Sequence, residues 1–180
     1  MSLLIETDRL LIRQILGEDE QDMLEMDCDK EVHRYIGNMP VTSIEEIRKV
    51  IDFIQAQYLD YGIGRWAVVK KDNKEFIGWT GFKYMEGPIN KQSSYYDFGY
   101  RFKSKYWRQG YATESALGAL KYGLEKLNLT DIFAMTHIDN VASRRTLEKL
   151  GFQYLETFNY DGYETNWRKA AEPTTWYKYK

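Results

Sequence analysis

The stretch Tyr106-Trp107-Arg108-Gln109-Gly110-Tyr111-Ala112-Thr113-Glu114 decides how this chain is read. Before it lies Tyr95 to Phe102, a run with strand character. Behind it, Tyr111 to Leu127 sets Ala112, Ala116, Leu120, Gly123, Leu124 and Leu127 on one helical stripe, with Lys121 and Glu125 off it. A turn holding a glycine therefore opens straight into a helix. The first amides of a helix have no acceptor within it and stand at the positive end of its dipole. A phosphate or pyrophosphate is the natural guest. Gly110 lets the backbone come close because it has no Cβ, and Ala112 keeps the first turn uncrowded. By itself the segment also reads as an ordinary strand–turn–helix with a basic solvated face made by Arg101, Lys103, Lys105 and Arg108.

Outward from this centre the chain reads as alternating elements. Thr7 to Ile15 is a strand and Asp19 to Cys28 a short helix. Ser43, with Glu46 three residues on, forms a capping box for a helix reaching about Tyr58, which Gly62 and Gly64 end. Arg65 to Lys70 and Glu75 to Tyr84 make a hairpin across Lys71 to Lys74, and Gly87-Pro88 breaks the chain before the Tyr95 strand. Thr130 to Thr136 is a short buried strand. Asp139 or Asn140 caps a helix ending at Leu150, Gly151 suits the left-handed position beyond it, and Phe152 to Phe158 and Thr174 to Tyr179 are strands. The order β-αα-βββ-α-β-α-ββ predicts an α/β fold with one central sheet, as a single domain over residues 1–180.

Bulk properties narrow the function. At 180 residues the chain buries a sizeable core without staples. Its single cysteine, Cys28, rules out an internal disulfide and points to a reducing, cytoplasmic setting. No leader-like or long apolar run predicts a membrane association. A net charge of −2 argues against a nucleic-acid partner. His33 and His137 are too few and too far apart to suggest a metal site, so no metal is expected. The high aromatic content is read mostly as core, with Tyr35, Trp66, Trp79, Phe82, Tyr84 and Tyr96 offering walls for a channel.

Three segments together resemble the GNAT superfamily of N-acetyltransferases, most of all its RimJ/RimL-type branch, which acetylates N-terminal amines of ribosomal proteins. They are Glu6-Thr-Asp-Arg-Leu-Leu-Ile-Arg13, Tyr100 through Ser115, and Asn140-Val-Ala-Ser-Arg-Arg-Thr-Leu-Glu-Lys-Leu-Gly-Phe152. The resemblance implies the GNAT acyl-CoA N-acyltransferase fold: a central mixed, mostly antiparallel sheet flanked by helices. It implies acetyl-CoA as the donor and a primary amine as the acceptor, attacking in a ternary complex. Two positions depart from the wider superfamily. Trp107 stands three residues before the loop glycine, where Gln or Arg is frequent, and Leu147 stands where many members carry a tyrosine acid.

Site residues follow from the same likeness. The amides of Arg108, Gln109, Gly110, Tyr111, Ala112 and Thr113 would hold the pyrophosphate. The main chain of Phe98, Tyr100 and Phe102 would pair with the pantetheine arm where this strand splays from the next, Gly99 being compatible with a bulge. An amide there would polarise the thioester carbonyl. Asn140 would contact the arm, and Ser143, near the sulfur, would protonate the thiolate; as plain helix residues they would be an N-cap and a first-turn serine. Asp97 is the first choice for the base, ahead of Glu156 and Glu114. The acceptor expected from the branch is the α-amine of a peptide or ribosomal protein. A polyamine, amino acid or aminoglycoside is the alternative acceptor, and a CoA-binding sensor without turnover the alternative class. An aromatic-rich surface strand is compatible with a homodimer.

Overall fold

The structure, a computed structural model, describes residues 4–160 and 172–180. Eight strands form one sheet in the order β1-β2-β3-β4-β5-β6-β8-β7. They are β1 (Leu4–Glu6), β2 (Leu10–Gln14), β3 (Arg65–Lys70), β4 (Phe76–Ile89), β5 (Gln92–Phe102), β6 (Ile132–His137), β7 (Phe152–Tyr160) and β8 (Glu172–Tyr179). Every neighbouring pair is antiparallel except β5 and β6, which run parallel. Among the described residues five α-helices accompany the sheet: α1 (Glu20–Asp27), α2 (Lys30–His33), α3 (Ile44–Tyr61), α4 (Tyr111–Glu125) and α5 (Val141–Lys149).

The helices divide between the two faces of the sheet, because the central strands are apolar on both. In β3, Trp66 and Val68 pack into one core with Leu10, Ile12, Phe82, Phe98, Ala116 and Leu120, under α4. Ala67 and Val69 turn the other way, toward Met23, Met26, Ile47, Ile51 and Ile54 of α1 and α3. A strand buried on both sides reads as a continuous apolar run rather than an alternating one. Trp176, Tyr95 and Phe133 seal a third cluster between β5, β6 and β8.

Local chemistry sets several boundaries. The Ser43 hydroxyl accepts the Glu46 amide at 3.3 Å, as an N-cap should. The Glu46 carboxylate reaches back one residue further than a capping box requires, to the Thr42 amide at 3.3 Å. Gly62 ends α3 at φ +68°, a left-handed position. Asn140, rather than Asp139, caps α5: its side chain accepts the Ser143 amide at 3.1 Å.

One expected break is absent. Gly87-Pro88 lies inside β4, and β5 begins at Gln92 rather than Tyr95. The register shifts between Glu86 and Ile89, so the glycine and proline sit on a bulge, where a residue lacking N–H costs no ladder bond. The turn itself is Asn90-Lys91, with φ of 44° and 70° at the two residues, the left-handed pair that a two-residue hairpin needs.

Helix α4 approaches the sheet closely because Gly123 faces the Phe82 ring. A Cβ at 123 would stand 2.5 Å from Phe82 Cζ. Phe82 is itself wedged between Trp66 and Phe98. Gly123→Val should therefore destabilise the fold by about 2–3 kcal/mol through overpacking, read as a lower urea midpoint at unchanged m-value. An unchanged midpoint would mean that α4 rides higher on the sheet than described.

Candidate functional site

The sheet opens between β5 and β6. Only Tyr96–Ile132 and Asp97–Phe133 pair there. Beyond them β6 stays with β8 from Phe133 to His137, while β5 stays with β4 as far as Phe102. The strands thus diverge into a notch. Tyr96 donates its N–H toward the β6 side, to Asp131 O at 3.2 Å. Strand alternation turns the peptide edges of Phe98, Tyr100 and Phe102 the same way, into the notch. A cavity of about 220 Å³ occupies it, walled by β5, β6 and the first turns of α5. Gly99 makes no bulge, contrary to expectation: it pairs in register with Gly81. Its bareness has another cause, since a Cβ would lie 3.2 Å from Arg65 Cζ.

At the end of β5 the chain makes one helical turn, Ser104–Tyr106, and the loop that enters α4. Gly110 is the N-cap of α4 at φ +85°, and Arg108 also stands in the left-handed region at φ +61°. Among the described residues, no protein acceptor meets the amides of Arg108, Gln109, Gly110, Tyr111, Ala112 or Thr113. Six consecutive free donors at a helix N-terminus form an anion cradle. The Trp107 indole, which sequence reasoning could only register as a departure, ties this loop to the notch: Nε1 donates to Phe102 O at 2.8 Å.

The basic residues around the loop behave differently from expectation. Arg101 pairs with Asp27 at 2.7 Å, Lys103 with Asp22 and Glu25 at 2.7 and 2.6 Å, and Lys105 with Glu25 and Glu75 at 3.2 and 3.1 Å. The acids come largely from α1, which sequence separation had hidden. The cradle's positive character rests instead on the amides and on Arg108; Arg9, whose guanidinium lies 4.3 Å from the centre of the Tyr111 ring, is itself paired with Glu114. Glu114 accepts from the Thr7 hydroxyl at 2.5 Å and from Arg9 Nε at 2.7 Å. Burial works to raise its pKa, but these bonds outweigh it and hold the carboxyl below the usual range. Glu114 thereby locks the first turn of α4 to the β1–β2 corner.

Across the notch, α5 brings Asn140, Ser143 and the buried Leu147 to the cavity wall. The Tyr100 hydroxyl lies 3.3 Å from Ser143 Oγ and 3.2 Å from Ser143 O. Burial pushes Tyr100 up to about 12, against the pull of Ser143, so its ring keeps its proton at neutral pH. The sequence reading used only the main chain of Tyr100; its side chain also belongs to the site. On the opposite face of β5, Asp97 lines the cavity and forms an ion pair with Arg65, whose guanidinium also donates to Asp97 O at 2.9 Å and Gly81 O at 2.6 Å. Arg65 carried no signal beyond opening a strand. His137 stacks on Tyr35 with ring centres 5.7 Å apart, at the cavity edge. Glu156, the looser base candidate, is half exposed, accepts from Asn90 at 3.2 Å and does not line the cavity. Among the described residues no cluster of His, Cys, Asp and Glu is arranged to hold a metal ion, and no helix is long and apolar enough to cross a membrane.

A notch in a mixed sheet beside a glycine-opened helix has the shape that an extended, phosphate-bearing donor such as an acyl-CoA requires, and comparison with known proteins names the class. Residues 9–153 match the family model described as acetyltransferase (GNAT) domain, and the chain belongs to that family of N-acetyltransferases, whose donor is acetyl-CoA. The uncharacterized N-acetyltransferase YoaA of Bacillus subtilis (strain 168) is 33% identical over 94% of this chain and 97% of its own. A GNAT-family acetyltransferase structure from Bacillus anthracis superimposes with a TM-score of 0.77 at 26% identity, covering 98% of this chain and 97% of that one. The ribosomal L7/L12 alpha-N-protein acetyltransferase RimL, solved with coenzyme A, shares the fold with a TM-score of 0.79 at 17% identity, covering 98% and 97% of the two chains.

The buried ion pair behind the cavity makes a prediction about acid stability. Asp27 is 1% exposed and sits 2.7 Å from Arg101 and 3.6 Å from His33 Nε2. Burial acts to raise its pKa; Arg101 and His33 outweigh that and hold it below the usual value. A depressed folded-state pKa adds stability above the unfolded value, about 3.9, and that stability is lost as pH falls through the lower folded value. Unfolding free energy measured by urea titration should therefore decline below about pH 4, with a shallower decline in Asp27→Asn. Equal slopes for both proteins would exclude Asp27 as a contributor.

Proposed function

We propose that this N-acetyltransferase moves the acetyl group of acetyl-CoA to the α-amine at the N-terminus of a peptide or protein, as the RimJ/RimL-type branch does, by direct attack in a ternary complex. The observation that carries the donor half is the continuity of the notch with the cradle: one strand, β5, offers unpaired peptide edges and leads through Trp107 into six free amides. In this reading Arg108, Gln109, Gly110, Tyr111, Ala112 and Thr113 take the pyrophosphate, and the peptide edges of Phe98, Tyr100 and Phe102 take the pantetheine arm together with Asn140. The bound donor supplies the thioester that is cleaved.

The protein's own groups divide the remaining work. An amide of β5 facing the notch polarises the thioester carbonyl, since a fixed donor needs no reorganisation during reaction. The Ser143 hydroxyl gives its proton to the departing sulfur and regains one from solvent through the Tyr100 hydroxyl beside it, so that neither oxygen is left ionised. Leu147, where a tyrosine acid is frequent in the superfamily, leaves this task to the Ser143–Tyr100 pair. Asp97 faces the cavity as a carboxylate stabilised by Arg65 and orients the incoming amine. Asp97 also takes the proton that the amine sheds on attack and passes it to solvent. An α-amine, with a pKa near 7.7–8.0, needs less help in losing it than a lysine side chain near 10.4.

Gly110→Val should weaken acetyl-CoA binding at least about 10-fold by calorimetry, because valine is strained at φ +85° and its Cβ would stand 3.3 Å from Arg9 Nη2. Ser143→Ala should lower kcat about 100-fold while leaving that affinity in place, and Tyr100→Phe should lower it less. Unaltered affinity in the Gly110 variant would show that the donor sits elsewhere. Unaltered kcat in Ser143→Ala would remove that residue from the proton route.

A further inference from the structure

The acceptor side of the cavity carries more recognition chemistry than a bare amine needs. On the face of β5 turned from α4, Asp97, Gly99 and Arg101 follow at two-residue steps of about 7 Å. The Arg65 guanidinium covers Gly99 and spends its donors inward, on Gly81 O, Asp97 O and the Asp97 carboxylate. Arg101 does not. Its Nη1 donates to Asp27 at 2.7 Å, and among the described residues Nε and Nη2 meet no acceptor. Both guanidinium groups lie against the Trp79 ring, 5.1 and 5.2 Å from its centre, which fixes their planes. Among the described residues the carboxylates and guanidinium groups that line the cavity are those of Asp97, Arg65 and Arg101, and Asp27, 1% exposed, pairs with Arg101 from behind the wall. Each guanidinium thus has one carboxylate partner, and Arg101 keeps Nε and Nη2 unused.

That arrangement discriminates between classes of amine. A polyamine would bring positive charge to a wall whose carboxylates are already paired, and would leave the unused N–H donors of Arg101 unmet. A carboxylate would find two spare N–H donors held in plane by an aromatic face, the geometry in which arginine binds carboxylates best. Building on the transferase reading above, we propose that the acceptor is a primary amine that also carries a carboxylate, with the amine beside Asp97 and the carboxylate on Arg101. The carboxylate comes either from a free amino acid or from an acidic first residue of a peptide.

Four probes decide the matter with the intact chain, read by acetyl-CoA-dependent CoA release: free glutamate, a tripeptide amide beginning with Glu, the same peptide beginning with Gln, and spermidine. The Glu peptide should exceed the Gln peptide in kcat/KM by about 10-fold or more, the worth of a charge-assisted hydrogen bond. Free glutamate outrunning the Glu peptide names an amino acid as acceptor, and the reverse order names a peptide N-terminus. Equal use of the Glu and Gln peptides, preference for spermidine, or no turnover of either carboxylate-bearing amine overturns the proposal. The double variant Asp27→Asn/Arg101→Gln leaves no buried carboxylate unpartnered. It should raise KM for the Glu peptide about 10-fold at similar kcat and leave the Gln peptide unaffected; equal losses on both peptides would mean a merely structural role for Arg101. Calorimetry with acetyl-CoA separates the two levels. A wild-type chain that does not bind acetyl-CoA sinks the transferase reading itself, whereas one that binds it without a carboxylate preference sinks only this inference.

Discussion

The parting of β5 from β6 is the constraint on which the rest of the structure depends. Strand β6 can stay hydrogen-bonded to β8 along its length only by leaving β5 after two pairs. A sheet normally hides such an opening, because unpaired peptide groups away from water are expensive. Here the lost ladder is offset by apolar packing on each side of the gap. Phe98 stacks on Phe152 beyond the notch, and Tyr95, Phe133 and Trp176 pin the strands together just before it. The result is a strand edge inside the molecule, presented to a guest that can complete it.

Everything around that edge limits how the guest can lie. Trp107 holds the loop to the last peptide of β5, Gly110 turns the chain with positive φ, and the Thr7–Arg9–Glu114 group anchors the helix that follows. The last of these joins segments more than 100 residues apart in the chain, and together they set the free amides of the loop beside the notch. The acids of α1 neutralise Lys103 and Lys105 of the β5–α4 connection, so the proposed binding there would rely on fixed backbone dipoles more than on mobile side-chain charge. Fixed dipoles pay no reorganisation when charge develops, which is what acyl transfer asks of its surroundings.

In the proposed reaction the two faces of β5 serve its two ends. Phe98, Tyr100 and Phe102 turn toward α4 and α5, where Ser143 and Asn140 stand. Asp97, Gly99 and Arg101 turn toward α1 and Trp79. A period of two along a single strand thus separates the groups proposed for the donor from those proposed for the acceptor. Arg65, from the adjoining hairpin, links them by binding the Asp97 carboxylate and filling the space over Gly99.

Much of this was legible in the residues themselves. The glycine turn before an amphipathic helix announced a helix N-terminus with free amides, Ser43 and Gly62 announced the ends of α3, and the Asn140 segment announced a capped helix, because each is a local matter of φ, capping and period. Gly87-Pro88 misled for an equally local reason: a bulge and a turn share the same residue types, and only pairing with the opposite strand tells them apart. The likeness of three segments to one family pointed to the sheet and its donor. Tertiary structure alone decided that Arg101, Lys103 and Lys105 pair with acids of α1, that Arg65 clasps Asp97, and that Tyr100 meets Ser143. Ion pairs and hydrogen bonds across 30 to 80 positions leave no periodic trace in a chain, since nothing in the spacing of two residues says that the sheet will carry them to the same point.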